Sequence, residues 1–171
     1  IEGDSTFVKE LLTDGKCDIA FLRSESSSVK EFNSIPYMID YLTAVLPVTH
    51  PLAKADNLPF EQLRGETFLL FPEHSFINDL CIRECRNAGF EPHIAYTGNR
   101  GATLIDLVRN GAGITLMMHH SARQENDSSL AFIPVTPGIY SYISLNYAKE
   151  KPLSPQAESF VRYVKAHKRD F

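Results

Sequence analysis

The 171 residues are 43% apolar and 22% charged, with 9 Gly and 10 Pro. That is a globular composition, not that of a disordered, collagen-like or membrane-spanning chain. Seventeen Lys and Arg against 21 Asp and Glu leave a formal charge of −4, which excludes the basic footprint of a nucleic-acid-binding surface. No apolar run approaches the ~20 residues of a membrane span, and no secretory leader pattern opens the chain. Three cysteines are too few, and odd in number, for a disulfide scaffold; they suit a reducing compartment. A chain this long can bury roughly 70% of the surface it exposes unfolded, enough for one substantial core or two small lobes.

Strand-like and helix-like segments alternate along the chain. Asp4, Ser5 and Thr6 offer N-caps for a helix running to about Asp14, and Gly15 suits the left-handed residue after it. The unbroken apolar run 19–22 reads as a parallel strand covered on both faces. A second run spans 41–48 and a third 67–71, ended by Pro72. Ile77, Leu80, Cys81, Cys85 and Ala88 then recur at helical spacing until Gly89. A short strand is expected over 93–96, a helix with Leu104, Ile105 and Val108 inward, and an apolar strand over 114–118. Ile139, Ser141, Ile143, Leu145 and Tyr147 line one side of a long strand. Ser154 caps a last helix, with Pro155 in its first turn and Ala157, Phe160, Val161 and Val164 as its buried stripe. Strands separated by helices of about ten residues imply βαβ units, an α/β fold and a mostly parallel sheet.

Four segments carry a more specific signal by their order and spacing. They are Leu11-Leu12-Thr13-Asp14-Gly15-Lys16-Cys17-Asp18-Ile19-Ala20-Phe21, then Leu46-Pro47-Val48-Thr49-His50-Pro51-Leu52-Ala53. Ala88-Gly89-Phe90-Glu91-Pro92 and Leu107-Val108-Arg109-Asn110-Gly111-Ala112-Gly113-Ile114-Thr115-Leu116 follow. Together they resemble the effector-binding domain of LysR-type transcriptional regulators over nearly the whole chain. The resemblance implies two Rossmann-like lobes joined by crossover strands, similar to type II periplasmic binding proteins. Lobe I would be residues 1–40 and 144–171, with a first strand and helix expected upstream of Ile1; lobe II would be 41–143. It also implies a cytoplasmic protein, self-association of regulatory domains as a dimer or tetramer, and DNA contact only through an N-terminal winged helix-turn-helix outside this sequence. Met118 departs from the pattern, standing where the family commonly has Pro.

In open α/β sheets ligands bind beyond the carboxyl ends of strands, where helix N-termini present free N–H groups and suit anions. Three segments have that form: Gly3-Asp4-Ser5-Thr6, the 72–78 stretch with Ser75, Phe76 and Asn78, and Gly98-Asn99-Arg100-Gly101. The resemblance places these loops and Met118 around an interlobe cleft taking a small organic anion, with Ser5 holding a carboxylate. Arg100 and Arg23 are the candidates for charge recognition, because guanidinium–carboxylate hydrogen bonds are charge-assisted. Each has a plain alternative: a surface or structural ion pair for either Arg, and a simple N-cap for Ser5. Asp4 would repel an anion unless its carboxylate turns away to cap the helix.

Other chemistries fit less well. Gly3-Asp4-Ser5 suggests a Gly-Asp-Ser hydrolase, but none of the six histidines follows an Asp at the three-residue spacing such enzymes use, so an enzyme is not expected. Cys81 and Cys85, one helical turn apart, fit core packing better than a redox or metal pair. Adjacent His119 and His120 point different ways and do not chelate. No metal and no cofactor is expected. A free-standing solute-binding protein of the same fold is the alternative function; a signal peptide ahead of Ile1 would mark it, a helical DNA-binding region the regulator.

Overall fold

The computed structural model describes residues 1–123 and 127–167. Along the chain run α1 (Ser5–Thr13), β1 (Ile19–Ser24), β2 (Phe32–Pro47), β3 (Leu58–Pro59), β4 (Thr67–Leu70), α2 (Phe76–Asn87), β5 (His93–Thr97), α3 (Gly101–Arg109), β6 (Thr115–Met118), α4 (His119–Ala122), β7 (Leu130–Thr136), β8 (Tyr140–Ala148) and α5 (Pro155–His167). The chain divides into two compact units, one of Ile1–Asp40 with Tyr140–Phe171 and one of Tyr41–Ile139.

In the first unit β8 lies between β1 and β2, and β1 pairs with β8 antiparallel from Ile19↔Tyr147 to Ser24↔Tyr142. Ala20 and Leu22 turn toward α1, where they join Leu12 and Phe32 in one small core. Ile35, Leu145, Val161 and Val164 form a second, beneath α5. The expectation that residues 19–22 are covered on both faces fails at Phe21, which is 41% exposed. Its ring meets Tyr37 and Phe160 edge-on, at 5.2 and 6.4 Å between centroids. Phe160, expected in the buried stripe of α5, is likewise half-exposed, whereas Ala157, Val161 and Val164 are buried.

In the second unit β2 pairs antiparallel with β6 and with β7, while β3–β7 and β4–β5 are parallel. The mostly parallel sheet expected from the βαβ pattern is therefore corrected. The long strand β2 runs against its neighbours, a pairing that alternation of elements does not encode. A larger apolar cluster gathers Leu80, Cys81 and Cys85 of α2 with Leu42, Phe68, Leu116 and Met118. Another gathers Leu104, Ile105 and Val108 of α3 with Val45, Leu69 and Met117. Each helix thus buries the face that its 3.6-residue periodicity marks.

Two short motifs have structural roles here. His50 opens a 3₁₀ turn (Pro51–Lys54); its Nδ1 accepts from the Leu52 N–H at 3.2 Å and its Nε2 lies 3.2 Å from a Glu66 carboxylate oxygen. At Gly113 the chain passes so close to β4 that a Cβ would sit 2.4 Å from the Thr67 carbonyl oxygen. That approach lets the Ile114 N–H donate to Thr67 and the Leu69 N–H donate to Ile114, both at 2.8 Å.

Candidate functional site

In the first unit the candidate residues gather at the start of α1. Asp4 is the cap: its Oδ1 accepts from the Thr6 and Phe7 N–H groups at 2.9 and 3.0 Å. Its charge thus complements the positive end of the helix. Ser5, the first helical residue, accepts from the backbone N–H of Arg23 at 3.2 Å. Gly3 is exposed ahead of them. The Arg23 guanidinium is engaged: Nη1 donates to Ser141 Oγ at 2.6 Å, and both Nη1 and Nη2 reach Oδ2 of Asp40 at 3.3 Å. Its side chain is 16% exposed and that of Asp40 only 2%. Burial draws the Arg23 pKa down, and Asp40 opposes that shift. For Arg23 the geometry is that of a structural ion pair. Asp40 is absent from the sequence expectations and Ser141 figures there only on a strand face; an Asp inside the apolar stretch Met38-Ile39-Asp40-Tyr41-Leu42 was the available signal.

In the second unit α2 follows β4 and α3 follows β5, and these two strands are parallel neighbours. Both helices therefore start at the same carboxyl edge, where the backbone N–H groups of their first turns point. Ser75 caps α2 by accepting from the Asn78 N–H at 3.3 Å. Asn78 is buried, and its amide donates to the Phe71 carbonyl at 2.8 Å, tying the helix start to the end of β4. Phe76 packs on the larger core. His74, just before the cap, has φ 65°, a left-handed conformation uncommon outside glycine, though His is among the residues that adopt it more readily.

The start of α3 differs. Arg100 occupies its cap position with no side-chain hydrogen bond to the first turn, and Asn99 and Arg100 are exposed. Gly98 donates to the Leu70 carbonyl at 3.0 Å, so this loop is anchored to β4. Gly101 lies against Met117, whose Cε would be 3.2 Å from an added Cβ. Met118 is elsewhere: it is 2% exposed within the core, opposite Leu42 on β2. Next to it His119 stacks on Tyr41 at 4.3 Å and its Nδ1 lies 3.2 Å from Thr43 Oγ1.

The two thiols on α2 are chemically quiet. Burial pushes Cys81 well up and Cys85 up to about 12, with neighbouring carboxylates adding to the Cys85 shift. Cys17 is raised less, by burial and by Asp18. Thiolate is the reactive form, so the pair on α2 is core packing. Among the described residues no group of three or more His, Cys, Asp or Glu converges as a metal site, and no helix is long and apolar enough to cross a membrane.

Comparison with known proteins adds to this geometry. A family model described as the LysR substrate binding domain matches residues 1–169. The transcriptional dual regulator GltC of Bacillus subtilis (strain 168) is 26% identical over 164 residues, 95% of this chain and 55% of that protein. The chain thus spans about half the length of the curated relatives it matches first. Those relatives are transcriptional regulators rather than enzymes. Among solved structures, the regulatory domain of CcmR from Synechocystis PCC6803, in complex with 2-PG, aligns with TM-score 0.87 at 16% identity. That alignment covers 98% of this chain and 81% of that one. The effector binding domain of QuiR in complex with shikimate aligns with TM-score 0.77 at 20% identity, covering the same shares. These structures show that the fold is that of LysR regulatory domains.

Proposed function

This chain belongs to the LysR substrate binding domain family, and from that premise we propose that it is the effector-sensing part of a LysR-type transcriptional regulator. Its ligand is a small organic anion held at helix starts. The observation that carries the reading is the pair of helices starting together at the carboxyl edge of β4 and β5. One of them, α3, lacks a side-chain cap and carries an exposed Arg100 at that position. Unfilled first-turn amides and a guanidinium suit a carboxylate or phosphate, and hydrogen bonds to charged groups contribute about 1.5–3 kcal/mol each. Two domains of this fold were solved with small molecules, 2-PG and shikimate, which supports a small-molecule ligand here.

In this reading Ser75, Gly98, Asn99 and Arg100 meet the effector, and Asn78 keeps the start of α2 in place. The parent protein works in the cytoplasm, associates through these domains as a dimer or tetramer, and meets DNA through a part outside this chain. Effector binding changes that DNA contact only to the extent that the effector favours one arrangement of the protein over another.

The test is a thermal-shift panel of small organic acids on the 171-residue chain, with affinity for the best hit then measured for Arg100→Ala. A loss of about tenfold, or about 1.4 kcal/mol, is expected. An unchanged affinity removes Arg100 from the site, and a panel with no hit among carboxylates and phosphates removes the anionic class.

A further inference from the structure

Strand β5 carries one residue more than its neighbour. Phe68 of β4 pairs with Ile94, but the next residue, Leu69, pairs with Tyr96, so Ala95 has no counterpart. The extra residue changes the face that Tyr96 takes. Phe68 and Ile94 point to the cluster that holds α2, whereas Leu69 points to the cluster that holds α3. Strict alternation from Ile94 would send Tyr96 to the α2 side; pairing with Leu69 sends it to the α3 side instead. Bulges often re-aim a side chain in this way beside a functional site.

The ring then folds along the chain toward the loop that opens α3. A Cβ at Gly98 would stand 2.7 Å from Cε1, 2.8 Å from the hydroxyl oxygen and 3.0 Å from Cζ of Tyr96. The phenol end therefore fills the space that a side chain at this position would need, and glycine lets it lie there. Gly98 is itself fixed by the bond from its N–H to the Leu70 carbonyl, so the seat under the ring belongs to the sheet end. Tyr96 is 40% exposed, and its hydroxyl makes no hydrogen bond to another described residue. It sits against Gly98, two residues before the Arg100 cap position of α3.

The groups at this helix start differ in what they can do. The Arg100 guanidinium and the first-turn N–H groups only donate, which suits the oxygens of a carboxylate. A phenol both donates and accepts, so it can pair with a ligand hydroxyl in either direction. A polar contact set beside the charged one fixes orientation as well as charge.

We propose that Tyr96 is a specificity-determining residue and that the ligand is a small hydroxy acid, its carboxylate on the start of α3 with Arg100 and its hydroxyl on Tyr96 Oη. The inference rests on the reading of the α3 start as the effector site.

Two pairs of probes that differ by one hydroxyl test it on the 171-residue chain by titration calorimetry: malate against succinate, and lactate against propionate. In at least one pair the hydroxy acid is expected to bind about tenfold more tightly. Tyr96→Phe keeps the ring and removes only an exposed oxygen. It should bring that ratio to about one by weakening the hydroxy acid alone. Gly98→Ala, which pushes the ring off its seat, should lower the ratio in the same direction. An unchanged ratio in Tyr96→Phe overturns the proposal, and so does equal binding within both pairs, or no binding of any probe. Arg100→Ala separates this outcome from the reading beneath it. If that variant loses all the probes while Tyr96→Phe keeps the ratio, the anion site stands and the role of Tyr96 falls. If Arg100→Ala changes nothing while Tyr96→Phe abolishes the ratio, Tyr96 reads the hydroxyl and Arg100 leaves the site.

Discussion

The two units reach their folded state by different means. Among the described residues the second packs apolar clusters of seventeen and eight, one holding the inner face of α2 and the other that of α3. The first has two clusters of only four. It compensates with polar groups: Asp40, Ser141, Ser144 and Asn146 are buried there, and the Asn146 amide donates to the Ser144 carbonyl at 2.8 Å while Ser34 donates to Asn146 Oδ1 at 2.6 Å. Two apolar grooves stay open on it, of about 420 and 350 Å³, sharing Phe21 and Phe160. Apolar burial is non-directional and tolerant, whereas a polar interior is stable only while each partner is in place. The first unit is therefore expected to be the less stable and the more sensitive to single polar changes.

The largest expected effect lies in the second unit. Gly113→Ala puts a methyl 2.4 Å from the Thr67 carbonyl, against backbone and at φ 155°; a loss of about 3 kcal/mol or more in denaturant unfolding is expected. Next comes the pair that sets one unit against the other. Leu116→Ala, in the cluster of seventeen, should cost about 3 kcal/mol, and Leu22→Ala, in a cluster of four, about 2 kcal/mol. Equal costs would break the comparison. Thr115→Val should work the other way, because the Thr115 hydroxyl is buried without a hydrogen-bond partner; a gain of about 1 kcal/mol is expected.

The smallest effect is in acid. Asp127 is held at about 2 by hydrogen bonds from the Ser129 backbone and hydroxyl and from Arg109. A carboxylate depressed in the folded state contributes stability that is present above its usual value near 4 and is lost as pH falls toward about 2. Asp127→Asn should therefore flatten the acid limb of the unfolding curve between those values, with no change at neutral pH beyond a constant offset. Asp18, lowered chiefly by the Ser154 hydroxyl, should do the same for the first unit; a sharper acid response there would sharpen the contrast.

What could be read in the sequence was whatever is local. The faces of α2 and α3 follow from spacing alone, and the caps at Asp4, Ser75 and Ser154 from a side chain two or three residues from the amide it serves. Strand β7 escaped notice because Pro134 sits inside it, and proline argues against a strand unless its neighbour leaves that N–H unneeded. The first half of β2, Phe32-Asn33-Ser34-Ile35-Pro36, has neither alternation nor an apolar run. The partners of Arg23 lie 17 and 118 residues away, so no window along the chain could separate an ion pair from a ligand contact. Met118 was carried into the site by analogy of position, and its burial follows from its pairing with Leu42.

The cysteines end up as reporters. Cys17 lies partly open in the first unit, and Cys81 and Cys85 are sealed in the core of the second. An alkylating dye added to the native protein should label the first position early and leave the other two dark until their surroundings open. Each unit then carries its own clock, native to the chain, by which the separate loosening of the two can be timed in one tube.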